Sequence, residues 1–236
     1  ALKKLEYRGY DSVGMATLNN KKILIKKDVG KINEVDKKLH FEDMKGSIGI
    51  AHTRWGTTGA ITKENSHPHT DCSKNIAIVH NGIIENYEQL RYSLIKKGHK
   101  FKSETDSEVI AHLLENTSPE KVLQLLYGRN AFLTLIDNKI IAAKNGSPLA
   151  IGIAKDGYYI ASDALPFLDK TREVIFLEDG DIAEIKENGV KFHGKQRNPQ
   201  HIDWSVKKAQ KGNYPHFLIK EIMEQPTTIE MSAIQN

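Results

Sequence analysis

Hydrophobic and polar residues alternate in short blocks along the first third of the chain, and these blocks are typical of strands. Two β-rich runs, Ser12–Leu18 and Lys22–Lys26, are separated by an Asn-Asn pair, which indicates a hairpin. The apolar runs Ser47–Ala51 and Ile76–Val79 have the length and composition of buried strands. The pattern therefore predicts a hairpin followed by two core strands.

Segments with a helical period separate these strands from a second group of strands. Helices are predicted over Lys31–Leu39, over Ile84–Lys97, after the Thr105/Glu108 pair and from Ser118-Pro119 onward. Short strands are predicted at Phe132–Ile136, Ile140–Ala143, Leu149–Ile153, Tyr158–Ile160, Val174–Phe176 and Asp181–Ile185. Hairpin-sized gaps between the strands favour an α+β fold with antiparallel sheets over a doubly wound parallel sheet.

The two ends of the chain differ from the rest. Asn198–Lys211 is polar and has little periodicity, and Phe217–Met223 regains a helical pattern that Pro226 is expected to end. We predict one main domain over residues 1–210 and a linker helix within residues 211–236. Ala1–Tyr7 has a helical composition without an N-cap residue, so we expect the helix to start upstream of Ala1.

One polar stretch, within Gly49–Gly82, is the strongest candidate for a functional loop. It joins two predicted core strands and carries Arg54, Trp55, four histidines and the Asn81-Gly82 pair. A loop of about 24 residues between core strands is long, and loops of that length are usually functional or disordered. The tryptophan and a His-Pro-His segment argue against disorder, so we predict an active-site loop.

The composition restricts location and partners. No apolar run is long enough to cross a bilayer, the N-terminus lacks the apolar core of a signal peptide, and Cys72 is the single cysteine of 236 residues. The net charge of +4 comes from dispersed basic residues without interleaved aromatic residues. We therefore predict a cytoplasmic protein with no nucleic-acid partner and no membrane partner.

The Asn81-Gly82 pair follows a predicted buried strand and is the first candidate for chemistry. An amide side chain beside a glycine can present a side-chain N–H and a backbone N–H to a developing oxyanion. The alternative is an Asn-Gly hairpin turn, which needs a second strand directly afterwards, and the following residues are predicted helical. The sequence thus favours the oxyanion interpretation.

Other polar residues give weaker indications of function. Arg54 could clamp a carboxylate or form a surface ion pair, and Asp106 near a helix start could simply complement the helix dipole. His67 and His69 flank a proline without a third spaced ligand, so we predict no metal and no cofactor. Cys72 lies in a short polar turn with no base beside it, so we predict a thiol without a catalytic role. Binding groups are thus present without an evident nucleophile.

Eight segments together resemble the glutaminase domain of the glutamine–fructose-6-phosphate aminotransferases. They are EYRGYDS at Glu6–Ser12, HTRWGTTG at His52–Gly59, SHPH at Ser66–His69, VHNGIIENYEQLR at Val79–Arg91, SETDSEVIAHL at Ser103–Leu113, GSPLAIG at Gly146–Gly152, FLEDGDIAEI at Phe176–Ile185 and HFLIKEIMEQP at His216–Pro226. The resemblance implies an N-terminal-nucleophile hydrolase fold, an αββα sandwich of two antiparallel sheets between helical layers. It also implies that the nucleophile is an N-terminal cysteine, which this sequence lacks, so the chain is expected to begin past that residue.

The resemblance assigns roles to five residues of the substrate site. The Asn81 side chain and the Gly82 backbone N–H correspond to the oxyanion hole. Arg54 and Thr57 resemble the groups that hold the α-carboxylate of glutamine, and Asp106 resembles the group that holds its α-ammonium. This assignment replaces the helix-dipole interpretation of Asp106.

Four further positions are interpreted through the same resemblance. Arg8 corresponds to an arginine that orients the N-terminal cysteine, Trp55 to a loop tryptophan near the ammonia exit, and His67 to a histidine at the mouth of the site. Thr58 stands where many members of the family have a histidine, so a loop contact that requires that histidine is not expected in this chain.

The implied parent enzyme hydrolyses L-glutamine through a γ-glutamyl thioester and passes the ammonia to a second domain. That domain converts fructose 6-phosphate to glucosamine 6-phosphate and forms most of a homodimer. We expect a polypeptide of the present sequence to be inactive. The alternatives are an inactive glutamine-binding or regulatory module and another class II amidotransferase with a different acceptor.

Overall fold

The computed structural model describes residues 2–204, 214 and 217–234. Contacts divide the chain into two compact units, Ala1–His201 and Ile202–Asn236. The predicted domain boundary at residue 210 lies outside the described residues. Among the described residues, no helix has both the length and the apolar character needed to cross a membrane.

Strands make up most of the first unit, and every pairing between them is antiparallel. They are β1 (Ser12–Asn19), β2 (Lys22–Val29), β3 (Ile48–Arg54), β4 (His69–Thr70), β5 (Ala77–Gly82), β6 (Asn130–Ile136), β7 (Lys139–Asn145), β8 (Ala150–Ala154), β9 (Gly157–Ala161), β10 (Glu173–Phe176), β11 (Ile182–Lys186), β12 (Gly189–Phe192) and β13 (Gln200–His201). The helices are α1 (Ile32–Leu39), α2 (Tyr87–Lys96), α3 (Glu108–Leu113), α4 (Pro119–Leu125) and, in the second unit, α5 (Phe217–Ile234).

The six-stranded sheet β12-β11-β7-β6-β5-β4 forms the centre of the first unit. One face packs on the sheets β2-β1-β3 and β13-β10-β8-β9 through a shared apolar core that includes Ile50, Leu135 and Ile151. The other face packs on α2, α3 and α4 through residues such as Val109 and Phe132. Helix α1 covers the outer face of β1, so the order of layers is helix, strands, strands, helices.

This arrangement confirms the predicted α+β fold with antiparallel sheets between helical layers. One detail differs, because one of the two strand layers consists of two sheets that do not share a strand pairing among the described residues. Local hydrophobic alternation reports which face of a strand is buried, and it carries no information on which strands pair.

The tail helix also differs from the expectation, since α5 runs from Phe217 to Ile234 and continues through Pro226. A proline removes one backbone hydrogen bond, and here that loss does not end the helix. The strands β4, β12 and β13 were not predicted. β4 and β13 have two residues each, too few to show a period, and β12 has four.

Candidate active site

A cavity of about 540 Å³ opens in the first unit, beside the ends of β3 and β5 and the start of α3. Its size is in the range of sites that hold small metabolites. All eight site residues predicted from the sequence line it, and they are Arg8, Arg54, Trp55, Thr57, His67, Asn81, Gly82 and Asp106. The fold therefore brings together residues that are up to about a hundred positions apart in the chain.

The side chain of Asn81 is held in a defined orientation at the cavity wall. Its Oδ1 lies 2.9 Å from Nε2 of His52, so the histidine donates to the amide oxygen. That bond leaves both N–H groups of Asn81 available to the cavity. The positioning role of His52 was missed by the sequence analysis, although alternation along β3 places His52 on the same strand face as Arg54.

Gly82 is the last residue of β5 and has a backbone conformation that requires glycine. Its φ is +135°, and a Cβ atom at this position would lie 1.8 Å from the carbonyl oxygen of Arg129. Asn81 and Gly82 pair with Ala131 and Asn130 of β6 inside the sheet. The pair is therefore the end of a strand, and the hairpin-turn alternative is wrong.

Buried polar groups behind this strand end form a network that the sequence analysis also missed. His80 Nδ1 lies 2.9 Å from the Ser107 hydroxyl, and His80 Nε2 lies 3.0 Å from Oδ1 of Asn130. The Asn130 amide donates to the carbonyl of Gly128 at 3.0 Å. These bonds satisfy buried groups and connect β5, β6 and the start of α3 at the base of the cavity.

Asp106 is 3% exposed and precedes the first residue of α3 by two positions. Its Oδ2 accepts the backbone N–H of Ile84 at 2.8 Å, and its Oδ1 is 3.5 Å from the Ser107 hydroxyl. A buried carboxylate with one oxygen incompletely satisfied is a strong acceptor for a cationic group. Asp106 therefore offers the cavity one negative charge at a fixed position.

Arg54 is 4% exposed, so the surface-ion-pair alternative is wrong. Its Nη2 donates to the carbonyl of Thr58, and its Nη1 donates to that of Ala60 at 3.3 Å. Asp11 lies near the Arg54 side chain and accepts the N–H of Gly56 at 2.8 Å. Arg54 thus holds the loop that carries Thr57, in addition to placing a positive charge beside the cavity.

The outer part of the cavity is formed by three more accessible residues. Trp55 is 59% exposed, with its ring centroid 5.8 Å from that of Tyr10, and Thr57 is also exposed. Arg8 ends a short 3₁₀ turn, and its guanidinium lies 3.9 Å from the carboxylate of Asp163. These side chains are placed where they can contact a ligand that enters from solvent.

His67 lies inside the wall of the cavity and not at its mouth as expected. It is 4% exposed and packs between the rings of His52 and His69, with centroid distances of 4.3 and 4.5 Å. The ammonium of Lys27 holds the adjoining backbone by donating to the carbonyls of Ser66 at 2.6 Å and Pro68 at 3.0 Å. Lys27 thereby holds the backbone on both sides of His67 in place.

A family profile described as a glutamine amidotransferase domain matches residues 52–169, which is half of the chain. The chain belongs to this glutamine amidotransferase family. The matched segment contains Arg54, Asn81, Gly82 and Asp106, and so it covers the centre of the cavity.

Curated relatives of this amidotransferase domain are named glutamine–fructose-6-phosphate aminotransferase (isomerizing). The protein from Pyrococcus horikoshii is 43% identical over 100% of this chain, and the protein from Methanococcus maripaludis is 45% identical over 98%. The chain spans 42% and 43% of the length of these two relatives.

Solved structures show the same fold for this amidotransferase domain. The glutamine phosphoribosylpyrophosphate amidotransferase from B. subtilis, complexed with ADP and GMP, superimposes with a TM-score of 0.72 at 28% identity. The match covers 87% of this chain and 47% of that chain. An enzyme described as the allosteric regulatory enzyme of purine biosynthesis has a TM-score of 0.71 at 29% identity over 87% of this chain. The N-terminal-nucleophile hydrolase fold implied by the sequence is thereby confirmed.

The buried histidines make the stability of this amidotransferase domain sensitive to acid. Burial lowers the pKa of His52 from its ordinary 6.5 to about 4, and it lowers the pKa values of His67, His69 and His80 as well. Below pH 6.5 the unfolded chain therefore binds protons that the folded chain does not. We expect the free energy of unfolding, measured with urea, to fall between pH 7 and pH 5, with about 1–2 kcal/mol of the fall coming from His52.

A pair of variants separates this effect from general acid sensitivity. His52→Asn is expected to reduce the difference in stability between pH 7 and pH 5, because it removes one of the titrating groups. His40→Asn changes an exposed histidine and is expected to leave the difference unchanged. Equal or greater stability of the unaltered protein at pH 5 would contradict the prediction.

Proposed function

We propose that the cavity binds L-glutamine and that the domain supplies ammonia from it for the synthesis of glucosamine 6-phosphate. The observation that carries the proposal is the fixed Asn81 amide beside Gly82 at the cavity wall. Its two N–H groups and the backbone N–H of Gly82 suit an amide carbonyl that becomes an oxyanion during attack. The relatives that share 43–45% identity carry glutamine in their names.

The two charges of an amino acid match the two charged residues of the cavity. Asp106 receives the α-ammonium, and Arg54 with Thr57 receives the α-carboxylate. The guanidinium has five N–H donors, so its bonds to the loop carbonyls leave donors for a carboxylate. Recognition of both charges selects free glutamine over glutamine within a peptide.

The chemical step is hydrolysis of the γ-carboxamide through a thioester. A cysteine thiol attacks the carbonyl carbon of the γ-carboxamide, and the N–H groups of Asn81 and Gly82 stabilise the oxyanion. The thiol proton passes to the amide nitrogen, which leaves as ammonia when the tetrahedral intermediate collapses. Water then hydrolyses the thioester, which gives glutamate and regenerates the thiol. Arg8 is proposed to orient the thiol, and Trp55 is proposed to lie beside the exit of the ammonia.

The acceptor half of the reaction is proposed from the name that the relatives share. We propose that the protein carrying this domain uses the ammonia to convert fructose 6-phosphate to glucosamine 6-phosphate, and that it is a homodimer in the cytoplasm. The gene product that carries this domain is therefore expected to form glucosamine 6-phosphate from fructose 6-phosphate and L-glutamine. Ammonia release without that product would favour another acceptor, as in the structurally similar phosphoribosylpyrophosphate enzyme.

A polypeptide of the present sequence is expected to bind glutamine without releasing ammonia. The thioester route needs a thiol in the cavity, and Cys72, the single cysteine, does not line it. A coupled glutamate dehydrogenase assay on this polypeptide measures the ammonia. Release that persists in Cys72→Ala would contradict the prediction and would indicate a nucleophile among the serine and threonine residues of the cavity.

A further inference from the structure

A second cluster of reactive side chains lies outside the cavity. Cys72, His99, His112 and Glu115 come from three separate parts of the chain, and one potential ligand atom of each lies within 4.8 Å of the others. Cys72 is in the turn between β4 and β5, His99 follows α2, and the other two are at the end of α3. The expectation that Cys72 has no base beside it is therefore wrong.

The distances between these atoms are close to those of ligands around one small cation. Cys72 Sγ lies 3.6 Å from Nδ1 of His112 and 4.0 Å from Nδ1 of His99. Oε1 of Glu115 lies 3.0 Å and 3.1 Å from the same two nitrogens. A tetrahedral zinc with bonds of about 2.0–2.3 Å separates its ligand atoms by about 3.3–3.6 Å, so small side-chain shifts would complete the geometry.

Groups around the cluster support the ligands in the way that metal sites require. The side chain of His112 is fully buried, its Nδ1 faces the cluster, and its Nε2 lies 3.6 Å from the buried carboxylate of Glu108. That nitrogen has no hydrogen-bond partner at shorter distance. A carboxylate behind the second nitrogen of a ligating histidine orients the ring and raises its basicity.

The cysteine is positioned by the backbone as well. The N–H of Lys100 points to Cys72 Sγ at 3.4 Å, which would stabilise a thiolate. Asp71 is buried and fixes the turn by accepting the N–H groups of Ser73 at 3.0 Å and Ile76 at 2.8 Å. The sulfur is thus held toward the two imidazoles by the fold of the turn.

We propose that Cys72, His99, His112 and Glu115 form a structural zinc site. Sulfur and imidazole donors favour zinc over magnesium and calcium, and four protein ligands close the tetrahedron. A metal here would tie the β4–β5 turn to the end of α3, while the start of α3 adjoins Asp106 in the cavity. The site would therefore brace the turn that precedes β5 and the helix that follows Asp106, without taking part in the chemistry of the cavity.

The main rival is a reactive cysteine activated by a histidine. That function needs an accessible substrate cavity, and Cys72 is absent from the lining of the cavity described above. It also leaves the approach of His99 to the same point without a role, whereas Glu115 Oε1 accepts the backbone N–H of Cys72 at 3.1 Å in either case. Convergence of four donors is the observation that favours the metal.

Zinc alone is the probe for the test, and the polypeptide of the present sequence is the sample. Titration against a chromogenic chelator is expected to show one zinc per chain, with a higher melting temperature when zinc is bound. Substitution by Co²⁺ is expected to give a sulfur-to-cobalt charge-transfer band and the visible bands of a tetrahedral site. Because Cys72 is the single cysteine, its reaction with a disulfide reagent is expected to slow by at least about tenfold in zinc.

Variants decide whether the metal sits on these ligands. Cys72→Ser and His99→Asn alter side chains near the surface, and they are expected to weaken zinc binding by at least about 100-fold and to abolish the thermal shift. Glu108→Gln is expected to weaken it by about 10–100-fold while the charge-transfer band persists. His40→Asn is the control and should bind zinc unchanged. Absence of stoichiometric zinc binding, or equal binding by Cys72→Ser, would overturn the proposal, as would an unchanged thiol reactivity with zinc bound.

Discussion

Replacing Asp106 by asparagine is expected to weaken L-glutamine binding by about 100-fold in calorimetric titration. Asparagine keeps the shape of the side chain, and its amide oxygen can still accept the N–H of Ile84. What it removes is the negative charge that faces the α-ammonium of the substrate. Charge-assisted hydrogen bonds of this kind contribute about 1.5–3 kcal/mol, and tenfold in affinity corresponds to about 1.4 kcal/mol.

Two controls make the Asp106 result specific. Glutaramate is glutamine without its α-ammonium, so its weak binding should not change between the wild type and Asp106→Asn. Asp156→Asn makes the same substitution at a carboxylate that faces Lys170 outside the cavity, and it should bind glutamine normally. If Asp106→Asn retained wild-type affinity for glutamine, the assignment of the ammonium to this residue would be wrong.

Gly82→Ala is expected to be among the most destabilising single substitutions at the site. The added methyl would meet the carbonyl oxygen of Arg129 at 1.8 Å, and a backbone oxygen in a sheet cannot move away cheaply. The residue would also have to hold a φ of +135°, which side chains rarely adopt. We expect the free energy of unfolding to fall by more than about 4 kcal/mol, measured with urea.

Gly157→Ala is the matched control for this substitution. Gly157 has a φ of +138°, close to that of Gly82, but nothing lies within 4 Å of the position of an added Cβ. Its free energy of unfolding should therefore fall only by the cost of the positive φ, about 1–3 kcal/mol. Equal losses for the two variants would show that the close approach to Arg129 is not what requires glycine at the end of β5.

Local sequence pattern predicted the positions of most strands and helices because burial imposes a period on each of them. The prediction of Ser12–Leu18 as a strand agrees with β1, and the prediction of Lys31–Leu39 as a helix agrees with α1. The division of one strand layer into two sheets could not be predicted, since hydrogen-bond partners far apart in sequence leave no local signal.

For the site as well, residues that stand out locally could be predicted, and contacts between distant residues could not. Asn81 and Gly82 could be singled out because they follow a predicted strand and the residues after them are predicted helical, which disfavours a hairpin turn. The bond from His52 to Asn81 could not be predicted, because it depends on how β3 lies beside β5 in the fold. Cys72 and His112 are forty positions apart, and nothing in either local sequence indicates that their side chains meet.

The central claim is that glutamine lies against the N–H groups at the end of β5, and nuclear magnetic resonance tests it most directly. In a ¹⁵N-labelled sample, saturation with L-glutamine is expected to shift the backbone N–H of Gly82 and the side-chain NH₂ of Asn81. Calorimetry on the same sample should show one glutamine per chain. No binding of L-glutamine, or saturation that leaves both of these signals in place, would contradict the account.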